Sequence, residues 1–95
     1  MASRLLHKIA VVTGSSSGLG RAISLGFARQ GAKVICSDLS PAARSLVPHE
    51  TDIPTHELIQ KEGGEALFLK ADVREARDME DLVTAAVGEW GRLDV

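Results

Sequence analysis

Ninety-five residues, 44% of them apolar, with a net charge of -2, suit one small globular domain. One cysteine excludes an internal disulfide, and three histidines far apart in sequence, with no cysteine cluster, give no metal-binding spacing. No run approaches the ~18 apolar residues of a membrane span, and basic residues scattered without aromatic neighbours do not make a nucleic-acid surface.

The first strand is expected at Ile9-Ala10-Val11-Val12, beginning by about Lys8. That leaves no room for a transit peptide, and the apolar run is too short for a signal peptide, so the cytosol is the expected location. Thr13-Gly14-Ser15-Ser16-Ser17-Gly18-Leu19-Gly20 follows directly, with glycines spaced four and then two apart. In a strand-to-helix turn that meets a dinucleotide, Gly14 lets the chain reverse, Gly18 lets backbone approach a pyrophosphate, and Gly20 lets the helix pack closely. The unpaired N–H groups and the macrodipole of that helix point at the bound anion. The three serines are expected to add hydroxyl donors. No acid precedes Asp38, whereas Arg4, Lys8, Arg21, Arg29 and Lys33 are all basic, which favours an anion near the turn. No Gly-Lys-Ser/Thr follows, so the phosphate loop of nucleoside triphosphatases is excluded.

A helix pattern continues in Ala22, Ile23, Gly26 and Phe27, and a second strand, Lys33-Val34-Ile35-Cys36-Ser37, ends on Asp38. A carboxylate about twenty residues after the glycines can accept hydrogen bonds from both hydroxyls of an adenosine ribose. It also repels a 2'-phosphate: two unit charges about 5 Å apart at an effective dielectric of about 20 cost roughly 3 kcal/mol. NAD is therefore favoured over NADP, unless Arg44 folds back toward the ribose. Cys36 reads as a small buried hydrophobe.

Ser40 to Pro54, with three prolines, is expected to be a surface loop (40–54), and a helix from about Thr55 to Glu62 follows, capped by Asp52 or Thr55. The third strand is placed at Ala66-Leu67-Phe68. The third helix starts around Glu75, with Met79, Leu82, Val83, Ala86, Val87 and Trp90 on one stripe and Trp90 as a core anchor. Asp72, just before that helix, favours its dipole. Gly31, Gly63-Gly64 and Gly91 each precede a strand, as expected where helices close in the left-handed conformation. The histidines, His7, His49 and His56, read as solvated loop or helix-end residues. Right-handed crossovers give a parallel sheet in the order 3-2-1, with the start of a fourth strand at Leu93 beside the first. The fold class is α/β: a partial Rossmann fold with a doubly wound sheet, residues 1–95 forming an incomplete dinucleotide-binding domain.

These residues resemble the short-chain dehydrogenase/reductase family, whose glycine motif reads T-G-x-x-x-G-x-G. The likeness runs from about Lys8 to Val95 and includes Gly20-Arg21-Ala22-Ile23, Ala32-Lys33-Val34-Ile35, Asp72-Val73 and Gly91-Arg92-Leu93-Asp94-Val95. It implies that Asp72 accepts a hydrogen bond from the adenine amino group while the Val73 backbone donates to the ring. The candidate cofactor-binding set is then Gly14, Ser16, Ser17, Gly18, Leu19, Gly20, Asp38, Leu39, Asp72 and Val73. The family pattern continues into N-N-A-G, a catalytic serine and Y-x-x-x-K, and this sequence contains none of them and no tyrosine at all. No dehydrogenase activity is expected from these residues alone, and the isolated chain is expected to be marginally stable and to bind NAD weakly, mostly through the adenosine half. Three functions fit: the cofactor-binding N-terminal part of an NAD-dependent oxidoreductase acting on alcohols or carbonyls, a non-catalytic nucleotide-binding module, or a structural partner that completes its sheet by self-association or with another chain. Substrate and oligomeric state lie outside these residues.

Overall fold

A computed structural model describes residues 6–16, 18–39 and 53–95. Ser17, Arg44, His49, Asp52 and most of the 40–54 loop therefore lie outside the described residues. Three short strands, β1 (Ile9–Thr13), β2 (Lys33–Asp38) and β3 (Ala66–Lys70), alternate with three helices, α1 (Gly18–Arg29), α2 (Thr55–Lys61) and α3 (Ala76–Trp90). All strand pairings are parallel, with Val12 opposite Cys36 and Cys36 opposite Phe68, and β2 lies between β1 and β3. This is the 3-2-1 order expected, read from the other edge.

Parallel strands covered on both faces carry apolar residues without interruption, and the alternation of side chains sorts them to opposite sides. Val12, Val34, Cys36 and Ala66 pack with Ile59 of α2 and with Leu25, Phe27 and Ala28 of α1. Ile9 and Ile35 pack on the other face with Leu82 and Ala86 of α3, flanked by Met79 and Trp90. The sheet is thus wound on both sides, and Trp90 stands in the core role expected of it.

The helical stripes are narrower than their periodicity implies. On α3, Val83 and Val87 are exposed while Leu82 and Ala86 are buried. On α1, Ala22, Ile23 and Gly26 face outward, and the fully buried positions are Arg21 and Ser24. Ser24 tolerates this because its hydroxyl donates to the Gly20 carbonyl one turn earlier (2.8 Å). Each helix ends on a glycine of positive φ, at Gly31, Gly63 and Gly91.

The last residues run beside β1 on the side away from β2. The Val95 amide donates to the Ile9 carbonyl (3.1 Å) and the Val11 amide donates to the Val95 carbonyl (2.9 Å), one rung of a parallel ladder. Asp94 reinforces it, accepting from the Ile9 amide (2.9 Å) while Arg92 donates to its other oxygen (2.6 Å). The expected opening of a fourth strand is therefore seated next to the first.

Candidate functional site

The carboxyl ends of β1, β2 and β3 are in register, Thr13 opposite Ser37 and Asp38 opposite Lys70, so the segments that follow them emerge along one edge. That edge gathers the described members of the candidate set: Gly14, Ser16, Gly18, Leu19 and Gly20 after β1, Asp38 and Leu39 at the end of β2, Asp72 and Val73 after β3. Open α/β sheets bind ligands there.

The turn after β1 has the backbone the glycines were expected to permit. Gly14 and Gly18 have φ of 67° and 56°, and a Cβ on either would enter open space. A Cβ on Gly20 would instead collide with the Gly14 carbonyl oxygen, so the first turn of α1 lies directly against the strand end. The turn is therefore open at Gly14 and Gly18 and closely packed at Gly20. No acid occupies the first turn of α1, and Arg29 sits in its last, an arrangement that leaves the helix dipole available to an anion at the amino end.

The serines do not behave alike. Ser15 is fully buried, and both its amide (3.0 Å) and its hydroxyl (3.2 Å) donate to the Ser37 carbonyl. It therefore ties the turn to β2 and offers no hydroxyl to a phosphate, a correction to the expectation for all three serines. Ser16 is likewise buried, and its amide donates to Asp38 Oδ2 (3.1 Å). The second Asp38 oxygen accepts the Leu39 amide (2.8 Å). Asp38 is only 7% exposed, so the acid at the tip of β2 is built into the turn as well as facing the edge.

Two residues that sequence reasoning missed complete this corner. The Thr55 hydroxyl donates to the Ser15 carbonyl (2.6 Å) and accepts from Arg21 Nη1 (3.1 Å), which also donates to the Ile53 carbonyl (2.8 Å). Asp52 or Thr55 is the expected helix cap; in the structure the cap position is Pro54, whose side chain has no acceptor to offer, and the Thr55 hydroxyl reaches across to the turn instead. Arg21 is 4% exposed. A buried arginine inside an apolar-looking pattern was the one available signal, since such a group is retained only with hydrogen-bond partners.

After β3 the chemistry is more local. The carboxylate of Asp72 is gripped by Arg74, whose Nε and Nη2 donate to it (2.7 Å at the closest) and whose backbone amide donates as well (2.9 Å). The Arg74 guanidinium, more than the amide, holds the Asp72 carboxyl down at about 2. The helix-start role falls to Asp78, which accepts the Asp72 amide (2.9 Å). Leu19, Leu39 and Val73 are exposed apolar side chains along the same edge, Leu19 at 77% and Val73 at 63%.

Elsewhere, burial pushes the Cys36 thiol up to about 11, which suits an inert core residue. His56 lies in the first turn of α2, the helix-end position expected of it, but is only partly solvated, its ring packing on Phe68 with centroids 5.6 Å apart. A cleft of about 600 Å³ opens at the opposite, amino end of the strands, among Leu6, His7, Lys33 and Glu65. Its charged walls are largely spent on the ion pairs Arg29–Glu62 and Lys33–Glu65, and it is remote from the glycine turn.

Comparison with known proteins agrees with this geometry. The family model for short chain dehydrogenase matches residues 8–95. The chain is 40% identical over 93 residues to the 2,5-dichloro-2,5-cyclohexadiene-1,4-diol dehydrogenase LinX of Sphingobium indicum, covering 98% of this chain and 34% of that protein. It is 37% identical over 91 residues to the short-chain dehydrogenase/reductase homolog YusS of Bacillus subtilis, covering 96% of this chain and 77% of that one. The crystal structure of hydroxysteroid dehydrogenase from Escherichia coli superposes with a TM-score of 0.80 at 30% identity, over 97% of this chain and 35% of that chain. The chain thus spans about a third of the length of LinX and of the solved structure.

Proposed function

The chain belongs to the short-chain dehydrogenase family, and we propose that its residues form the dinucleotide-binding part of an NAD-dependent oxidoreductase acting on an alcohol or carbonyl compound. Membership implies a nicotinamide dinucleotide as the cofactor; the choice of NAD, the residues that hold it and the substrate class are our reading. The observation that carries it is the open, positive-φ turn of Gly14 and Gly18 at the amino end of α1, with Asp38 at the neighbouring strand end.

In this reading the turn at Gly14, Ser16, Ser17, Gly18, Leu19 and Gly20 receives the diphosphate on the helix dipole and on backbone N–H groups other than that of Ser16, which Asp38 holds. Asp38 meets the ribose hydroxyls at the tip of β2, and the Leu39 backbone flanks it. Asp72 and Val73 meet the adenine, with the exposed apolar side chains of Leu39 and Val73 covering its faces. When bound, the nicotinamide exchanges a hydride with substrate. The residues of this chain bind and orient; we assign the proton transfer to none of them, because the sequence holds no tyrosine. The names of LinX and of the hydroxysteroid enzyme both describe dehydrogenases of hydroxyl compounds, which supports the substrate class.

Parallel titrations of the purified chain with NAD and NADP, followed by amide shifts in NMR, test the reading. NAD should move the amides of Gly14, Gly18 and Asp38, with NADP at least about tenfold weaker because of charge repulsion at Asp38. Equal affinity, or a preference for NADP, would overturn the assignment of Asp38; no shifts with either would overturn the dinucleotide site.

A further inference from the structure

One peptide group in the glycine turn is held at both ends by side chains distant in sequence. The Ser15 carbonyl accepts the Thr55 hydroxyl from 40 residues away, and the amide on the other side of the same peptide, that of Ser16, donates to Asp38 from 22 residues away. Both serines are buried, so water does not substitute for either partner. A peptide tied through its C=O and its N–H cannot flip without breaking two buried hydrogen bonds.

Behind Thr55 stands Arg21, which donates to the Thr55 hydroxyl and to the Ile53 carbonyl. None of the described hydrogen bonds of this buried guanidinium goes to a carboxylate. As an ion pair it would be a structural device; as a donor to a hydroxyl it polarises that hydroxyl and strengthens the bond the hydroxyl makes to Ser15, which is short at 2.6 Å. The chain Arg21 to Thr55 to Ser15 thereby links the amino end of α2 to the turn between β1 and α1.

We propose that Thr55, backed by Arg21, is a positioning residue for the dinucleotide: it fixes the plane of the peptide between Ser15 and Ser16, so that the turn meets the diphosphate already ordered. Neither residue needs to touch the ligand. Ordering done in the free protein is not subtracted from binding, which is how a preorganised loop gains affinity. The proposal rests on the dinucleotide reading above.

The test compares the parent chain with Thr55→Val, Thr55→Ser and Arg21→Met by NAD titration and by amide hydrogen exchange. Thr55→Val, isosteric but without the hydroxyl, should weaken NAD binding about tenfold, whereas Thr55→Ser should stay within about twofold. Exchange at the Ser16 amide should quicken in Thr55→Val while the amides of Val34 and Cys36 in the core keep their parental rates. Arg21→Met should weaken NAD in the same direction by less. If Thr55→Val titrates like the parent, if Thr55→Ser falls as far as Thr55→Val, or if Ser16 exchange rises only together with the core amides, the positioning role is overturned. An unchanged Arg21→Met overturns the part given to Arg21. A parent that binds no NAD overturns the dinucleotide reading itself, an outcome distinct from all of these.

Discussion

β2 and β3 each lead into an aspartate at the same edge of the sheet, and the two carboxylates are held in contrasting ways. Asp38 is almost buried and spends both oxygens on backbone amides, one its neighbour's and one from the turn after β1. Asp72 stands at the surface and is held by Arg74, two residues along the chain and 81% exposed. The first is a joint between two chain segments. The second is a local clasp that opens without disturbing anything else, because exposed ion pairs add little to stability. An adenosine meeting this edge would find a ribose acceptor fixed in place and an adenine acceptor that must be shared with an arginine.

The largest expected effect comes from breaking the joint. Asp38→Ala leaves the buried Ser16 amide without its acceptor, a loss of about 1–3 kcal/mol in stability. The ribose loses its carboxylate at the same time, so NAD affinity should fall by about thirtyfold. Urea denaturation and calorimetric titration read the two separately. A loss of stability with unchanged NAD affinity would make Asp38 a structural residue only, and the contrast with Asp72 would then concern the turn and not the ligand.

A smaller effect of opposite sign is expected at the clasp. Arg74→Ala should let the Asp72 carboxyl climb from about 2 toward its ordinary 3.8 and lower the denaturation midpoint only slightly, as the loss of an exposed ion pair does. With its oxygens released to the adenine amino group, Asp72 should bind NAD up to about twofold more tightly. A weaker complex would mean that Arg74 itself contributes to the site.

The same contrast marks what could be read from the sequence. The glycine closures and the strand-end position of Asp38 follow from periods and spacings along the chain, which are properties of local sequence, and the sheet order follows from the handedness of the crossovers between strands. The partners of Ser15, Ser16, Arg21 and Thr55 lie 22 to 40 residues away and depend on how α1 and α2 settle on one face of the sheet. Polar residues at a buried helical face defeat hydrophobic periodicity: of the α1 pattern Ala22, Ile23, Gly26 and Phe27 only Phe27 packs on the core, whereas Arg21 and Ser24 are buried. Val83 and Val87 show the opposite error: they keep the period of the α3 stripe, yet a single helix lying on the sheet buries only the residues nearest its line of contact. Thr55 was legible as a helix-start residue but not as a cross-link, since the partner that takes its hydroxyl belongs to another element.

The smallest effect is one of pH, and it belongs to the clasp at Asp72. Asp72 titrates lower in the folded chain than its ordinary value because Arg74 stabilises the charged form. The contribution of the clasp is therefore fully present above about 3.8 and is lost as the pH falls through about 2. Carboxyl carbon shifts followed over that range should show Asp72 protonating well below 3.8, with the Arg74 side-chain resonances changing at the same midpoint. Arg74→Ala should remove that midpoint without moving the Ser16 amide, whose acceptor is Asp38. If the Ser16 amide shifts in Arg74→Ala, the two carboxylates are coupled through the edge of the sheet, and the separation drawn between joint and clasp fails.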